Sequence, residues 1–119
     1  MALALDIMKG GFSSMSAKAM QGQTNGAVAA AGTTQGTGTA LTRSVNAVTS
    51  GTGGVVLPSA EINDEVDVCN LTSSAITVYP PSGERVNALS SNSGFTLAPN
   101  TAVKVKKFTS TRWMGFLSA

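Results

Sequence analysis

Histidine is missing from this chain of 119 residues, and cysteine occurs once, at Cys69. Without histidine, the usual general base at neutral pH and the nucleophile triads built on it are excluded. A metal site would have to be assembled from carboxylates alone. A single cysteine forms no internal disulfide and suits synthesis in a reducing cytoplasm. Lying in the alternating run Val66, Val68, Asn70, it reads as a small buried hydrophobe rather than a nucleophile. Charge is also sparse: 8 basic and 6 acidic residues leave a net +2, too little to imply a partner. Aromatic residues make up 5% of the chain, which argues against a stacking platform for nucleic acid. The opening MALALDIM is broken by Asp6 and has no basic residue before it. It therefore reads as neither a signal peptide nor a membrane span.

What is present divides the chain in two. Residues 1–38 are rich in Gly, Ala, Ser, Thr and Gln and hold too little apolar bulk for a core. They read as an extended, partly helical, low-complexity anchoring arm. Short helical stretches over 2–9 and 14–21 are bounded by Gly10, Gly11 and Gly22 and are marginal by themselves. The arm nevertheless carries Leu3, Leu5, Ile7, Met8, Phe12, Met15 and Met20. A bare linker needs none of these, so they are expected to dock on a partner; the rival reading is a helical cap packed back on the domain.

Residues 39–119 read as a compact antiparallel β-domain, so the fold class is all-β: a small barrel or sandwich with an extended N-terminal arm. Strands are expected over Ala40–Thr49, Gly54–Leu57, Glu65–Cys69, Ala75–Tyr79, Arg85–Leu89, Gly94–Leu97, Ala102–Phe108 and Arg112–Leu117. Alternation is clear at Val66/Val68, Ile76/Val78 and Val103/Val105. Gly51–Gly54, Pro80–Gly83, Ser90–Ser93 and Pro99–Asn100 punctuate the strands. Hairpins are expected over Glu65–Tyr79 and Ala102–Leu117. A domain this small without disulfides gains from oligomerising. By size, Phe95, Phe108, Trp113 and Phe116 are the candidate interface residues.

Nothing here makes a reaction centre. GTGG at 51–54 lacks the Lys and Ser/Thr of a phosphate loop and reads as a flexible hairpin turn or strand entry. Glu61, Asp64, Glu65 and Asp67 lack the spacing of a hand-type calcium loop. Glu65 and Asp67 lie opposite the face of Val66 and Val68, as solvated residues do. Lys104, Lys106, Lys107 and Arg112 form a basic counterpart. The two clusters are either separate solvated strand edges or patches that meet. Trp113 or Tyr79 could stack on a sugar if exposed, but packing is the default for both.

The segments LTRSVNAVTSGTGGVVLPSA, VDVCNLTSSAITVYPPSGERVNAL and FTLAPNTAVKVKKFTSTRWMGFLSA together resemble a short module of tailed-bacteriophage virion proteins. The resemblance covers residues 33–119. It rests on Leu57–Pro58, the strand end Val68–Asn70, Val78–Pro80, the step from Gly83 to Leu89, and Trp113 to Leu117. Pro80–Pro81 and the lysine-rich Val103–Lys107 depart from its pattern. It implies a non-enzymatic structural protein of the virion, assembled in the host cytoplasm, that decorates or stabilises the capsid or forms the base of a head fibre. The alternative is a tail- or fibre-associated module that binds a receptor or glycan. A homotrimer and contact with the major capsid protein or another virion protein are expected. No cofactor, metal, nucleic acid or membrane is expected, and no catalytic residue is carried over.

Overall fold

The computed structural model describes residues 24–117, which form an all-β domain of two sheets. Its strands are β1 (Thr24–Ala30), β2 (Thr39–Ala40), β3 (Val45–Gly51), β4 (Gly53–Val56), β5 (Glu65–Asn70), β6 (Ile76–Tyr79), β7 (Arg85–Val86), β8 (Phe95–Leu97), β9 (Thr101–Lys107) and β10 (Arg112–Leu117). One sheet runs β1-β3-β5-β9-β10-β7 and the other β2-β4-β6-β8.

The first half of the chain winds as a coil. Odd strands enter the larger sheet and even strands the smaller, and each pairs in parallel with the strand one winding earlier. The second half closes the coil: β8 lies antiparallel to β6, β9 to β5 and β10 to β9, while β7 runs parallel to β10. The expected all-β fold is present as two sheets, with its antiparallel pairing corrected to a mixed one. The expected 102–117 hairpin is present as β9 and β10. The expected 65–79 hairpin is not, because β5 and β6 leave the turn into different sheets. Asn70 directs that divergence. Its buried amide donates to the Ser74 and Leu97 carbonyls at 2.9 and 3.0 Å and accepts from the Thr72 hydroxyl and N–H, holding the connection as a corner between layers.

The β-domain begins before Thr39. β1 pairs along β3, and Val28 and Ala30 enter the core, so residues 24–38 belong to the domain and not to the arm. Small residues allow this, because the windings are stacked closely. Gly51 and Gly53, at φ 80 and 111, turn the chain from β3 into β4. A Cβ on Gly51 would overlap the Ala30 carbonyl oxygen, and one on Gly53 the Gly32 carbonyl oxygen. The 51–54 turn is thus a glycine corner pressed on the winding below.

Between the sheets lies a valine-rich core: Val48, Val66, Val68, Val103 and Val105 from the larger sheet face Val55, Ile76, Val78 and Leu97 from the smaller. β-branched residues fill such half-buried pleats well, and each contributes about 1.5–3 kcal/mol on burial. Trp113 is fully enclosed in the same core. Asn63, Asn87, Asn92 and Asn100 are the non-glycine residues at positive φ among those described. Asparagine tolerates this region through local hydrogen bonds, which is why it marks these turns.

Candidate interaction surfaces

Alternation along β5, β9 and β10 divides the larger sheet into a core face and an outer face. Register sets Glu65 beside Lys106 and Asp67 beside Lys104 across β5 and β9. Glu65 and Asp67 thus meet Lys104 and Lys106 within one subunit, on central strands rather than at separate edges. The Lys104–Glu65 contact is long, 3.9 Å, with both side chains about half exposed, so it contributes little to stability.

Continuing the same row, Phe116 on β10 lies beside Lys104, and Val45 on β3 beside Asp67. Phe116 is 59% and Leu117 64% exposed, and Met114 and Val45 are also open to solvent. Phe116, Leu117 and Val45 line a shallow, mainly apolar groove of about 310 Å³, floored by Cys69 and Ala102. Cys69 belongs to this outer face, half-buried and opposite Ala47 and Ala102. The expected core position is corrected, because the inward members of its strand are Val66, Val68 and Asn70.

Of the candidate interface aromatics, Phe108 and Phe116 are exposed. The Lys106 ammonium stands 5.5 Å over the Phe108 ring. Phe95 is partly buried against the core, whereas Trp113 is wholly inside it and so is unavailable to a second subunit. Trp113 faces inward because it alternates with the outward Met114, and its indole N–H donates to Glu84 Oε1 at 2.8 Å. Lys107 joins the same carboxylate at 3.1 Å and donates to the Ala60 carbonyl at 2.9 Å, leaving it only 7% exposed. The basic cluster is therefore divided: Lys107 is a core residue, while Lys104 and Lys106 remain on the surface.

Asp64 accepts the Glu61 N–H at 2.9 Å as a local turn bond. Among the described residues, no group of three acidic or cysteine side chains gathers into a metal-holding set. The arm residues Leu3, Leu5, Ile7, Met8, Phe12, Met15 and Met20 lie outside the described residues. Tyr79, which is neither core nor exposed, lies on the outer face of the smaller sheet beside a polar groove. Its place could be read from alternation with the inward Ile76 and Val78, but the groove could not, because its walls come from distant loops.

In comparison with known proteins, no family model and no curated sequence matches the chain.

Proposed function

We propose that this chain is a non-enzymatic structural protein of a tailed-phage virion, decorating the capsid. In this reading the first 23 residues tether each copy to the major capsid protein or another virion protein. The β-domain stands on the particle and associates as a homotrimer through the outer face of its larger sheet. The order of motifs from Leu57–Pro58 to Trp113–Leu117 supports the virion class. The observation that carries the assembly reading is the exposure of Met114, Phe116 and Leu117 on β10, with Val45 across the same groove beyond Lys104 and Asp67. Exposed apolar side chains grouped along a strand mark contact surfaces, and a large aromatic among them commonly dominates the binding energy. Cementing follows physically: many tethered copies raise one another's effective concentration, so weak individual contacts add up against outward pressure.

The native mass of the full chain, measured by light scattering beside Phe116→Ser, tests the assembly. The expected result is a trimer that becomes a monomer in the variant, with the melting temperature of the domain little changed. A monomeric wild type, or a trimer indifferent to the substitution, would sink the reading. Copy number in purified particles separates location: many copies support a head protein, and a handful would replace it with the tail or fibre alternative.

A further inference from the structure

We propose that the groove beside Tyr79 binds a neutral saccharide, with the Tyr79 ring as its stacking floor. This inference does not rest on the virion reading; it uses the opposite sheet and a different set of residues.

The floor is built by two glycines. Tyr79 projects from β6, the strand between β4 and β8. A Cβ on Gly54 of β4 would overlap Tyr79 Cε2, and one on Gly94, just before β8, would fall 2.9 Å from Cδ1. The ring therefore lies across the sheet over both positions, where side chains would otherwise stand. Its hydroxyl donates to the Thr33 carbonyl at 2.9 Å, which fixes the ring's far end. A flat aromatic face held in this way is suited to the apolar C–H face of a pyranose.

The walls supply polar groups, two of them held in place by hydrogen bonds. The groove, about 640 Å³, is lined by the 34–36 loop on one side and the 91–94 loop on the other, and none of its lining residues is charged. Gln35 is anchored by its amide nitrogen, which donates to the Pro80 carbonyl at 3.3 Å. That leaves the amide oxygen as an acceptor. Asn92 is anchored the opposite way: its side-chain oxygen accepts the Gly83 N–H at 2.6 Å, and its backbone N–H donates to the Glu84 carbonyl at 2.9 Å. That leaves the amide nitrogen as a donor. The Thr77 and Ser93 hydroxyls add groups that both donate and accept. One acceptor, one donor and two hydroxyls around an aromatic floor match the vicinal hydroxyls of a sugar. The absence of charge in the lining favours neutral sugars over sialylated or phosphorylated ones. Because both loops are tied by their own hydrogen bonds, little ordering cost remains on binding.

The test is a titration of isotope-labelled full-length protein with cellotriose, maltotriose and the N-acetylglucosamine trimer, read by NMR. Binding to at least one of them is expected, with a Kd on the order of millimolar, as suits a shallow groove contacting one sugar face. Saturable shifts should be confined to the Tyr79 ring and to Gln35, Thr77 and Asn92–Gly94. Tyr79→Ala should weaken binding about tenfold, the scale of a lost aromatic contact. Tyr79→Phe, which keeps the ring, should bind within about threefold of wild type, a difference below 1 kcal/mol. Gln35→Ala keeps the floor intact and should weaken binding severalfold, so the proposal stays testable even if Tyr79→Ala fails to fold. No saturable shift with any of the probes, shifts centred elsewhere, or undiminished binding in Gln35→Ala and in a folded Tyr79→Ala would each overturn it.

Discussion

Glu84 Oε1 receives two donors at once, the Trp113 indole and the Lys107 ammonium, and both partners sit on the core side of the larger sheet. Removing one side of such a pair costs far more than the pair contributes, because the remaining charge stays buried without compensation. Lys107→Met is therefore expected to destabilise the domain by about 3–5 kcal/mol. The double variant Lys107→Met with Glu84→Gln should recover much of that loss, since a neutral amide can still accept the indole N–H. Urea denaturation of the wild type, both single variants and the double variant measures the coupling; additive losses would show that the network is not a unit. Half of this arrangement was legible beforehand. By alternation Lys107 shares a face with Val103 and Val105, so a buried lysine could have been read from VKVKK. Its partner could not, because Glu84 follows a proline-rich turn and carries no periodicity linking it to Trp113.

At the scale of elements, the β-branched alternation at Val66/Val68, Ile76/Val78 and Val103/Val105 marks real strands, since period-two burial depends only on one face being covered. The same pattern is silent on strand direction: a strand looks alike whether its neighbour runs parallel or antiparallel, so the winding of β1 to β6 was not readable. β1 is unreadable from the sequence for a related reason. TNGAVAA is nearly all small residues, and its place comes from close stacking on β3 rather than from apolar bulk. The clearest missed signal was GTGG: glycines at both ends of a corner suggest positive φ and tight approach of another backbone, not a flexible turn. Gly53→Ala tests that geometry. A Cβ there meets the Gly32 carbonyl oxygen and the backbone is left-handed, so a loss of about 1–3 kcal/mol is expected. Gly83→Ala is the control: the position also has positive φ, but nothing lies within 4 Å of the added Cβ. Its loss should be the smaller, limited to backbone strain. Equal melting temperatures for the two variants would mean that the stacked corner contributes nothing.

For the whole molecule, the issue is where the domain starts, because that decides what the preceding residues are free to do. Composition places the boundary at Thr39; the pairing of β1 with β3 brings the residues from Thr24 onward into the domain. The energetic consequences differ sharply. A chain starting at Thr39 loses Val28 and Ala30 from the core and opens the flank of β3, where Val28 is the register partner of the fully buried Val48. Val28 alone is worth about 1.5–3 kcal/mol of burial. The bared parallel edge invites pairing with another chain. Against a typical total stability of about 5–15 kcal/mol, that is enough to unfold or aggregate a domain of this size. A chain starting at Thr24 keeps every described contact and should melt within about 2 °C of the full chain, a shift equivalent to well under 1 kcal/mol. Thermal circular dichroism with size-exclusion chromatography distinguishes the cases. A Thr39 chain that melts like the full-length protein would show that β1 is only laid against the sheet, and the boundary would return to Thr39. If the Thr24 chain alone melts normally, the first 23 residues are not needed to hold the domain together, and Leu3, Leu5, Ile7, Met8, Phe12, Met15 and Met20 are left available for the particle contact proposed for them.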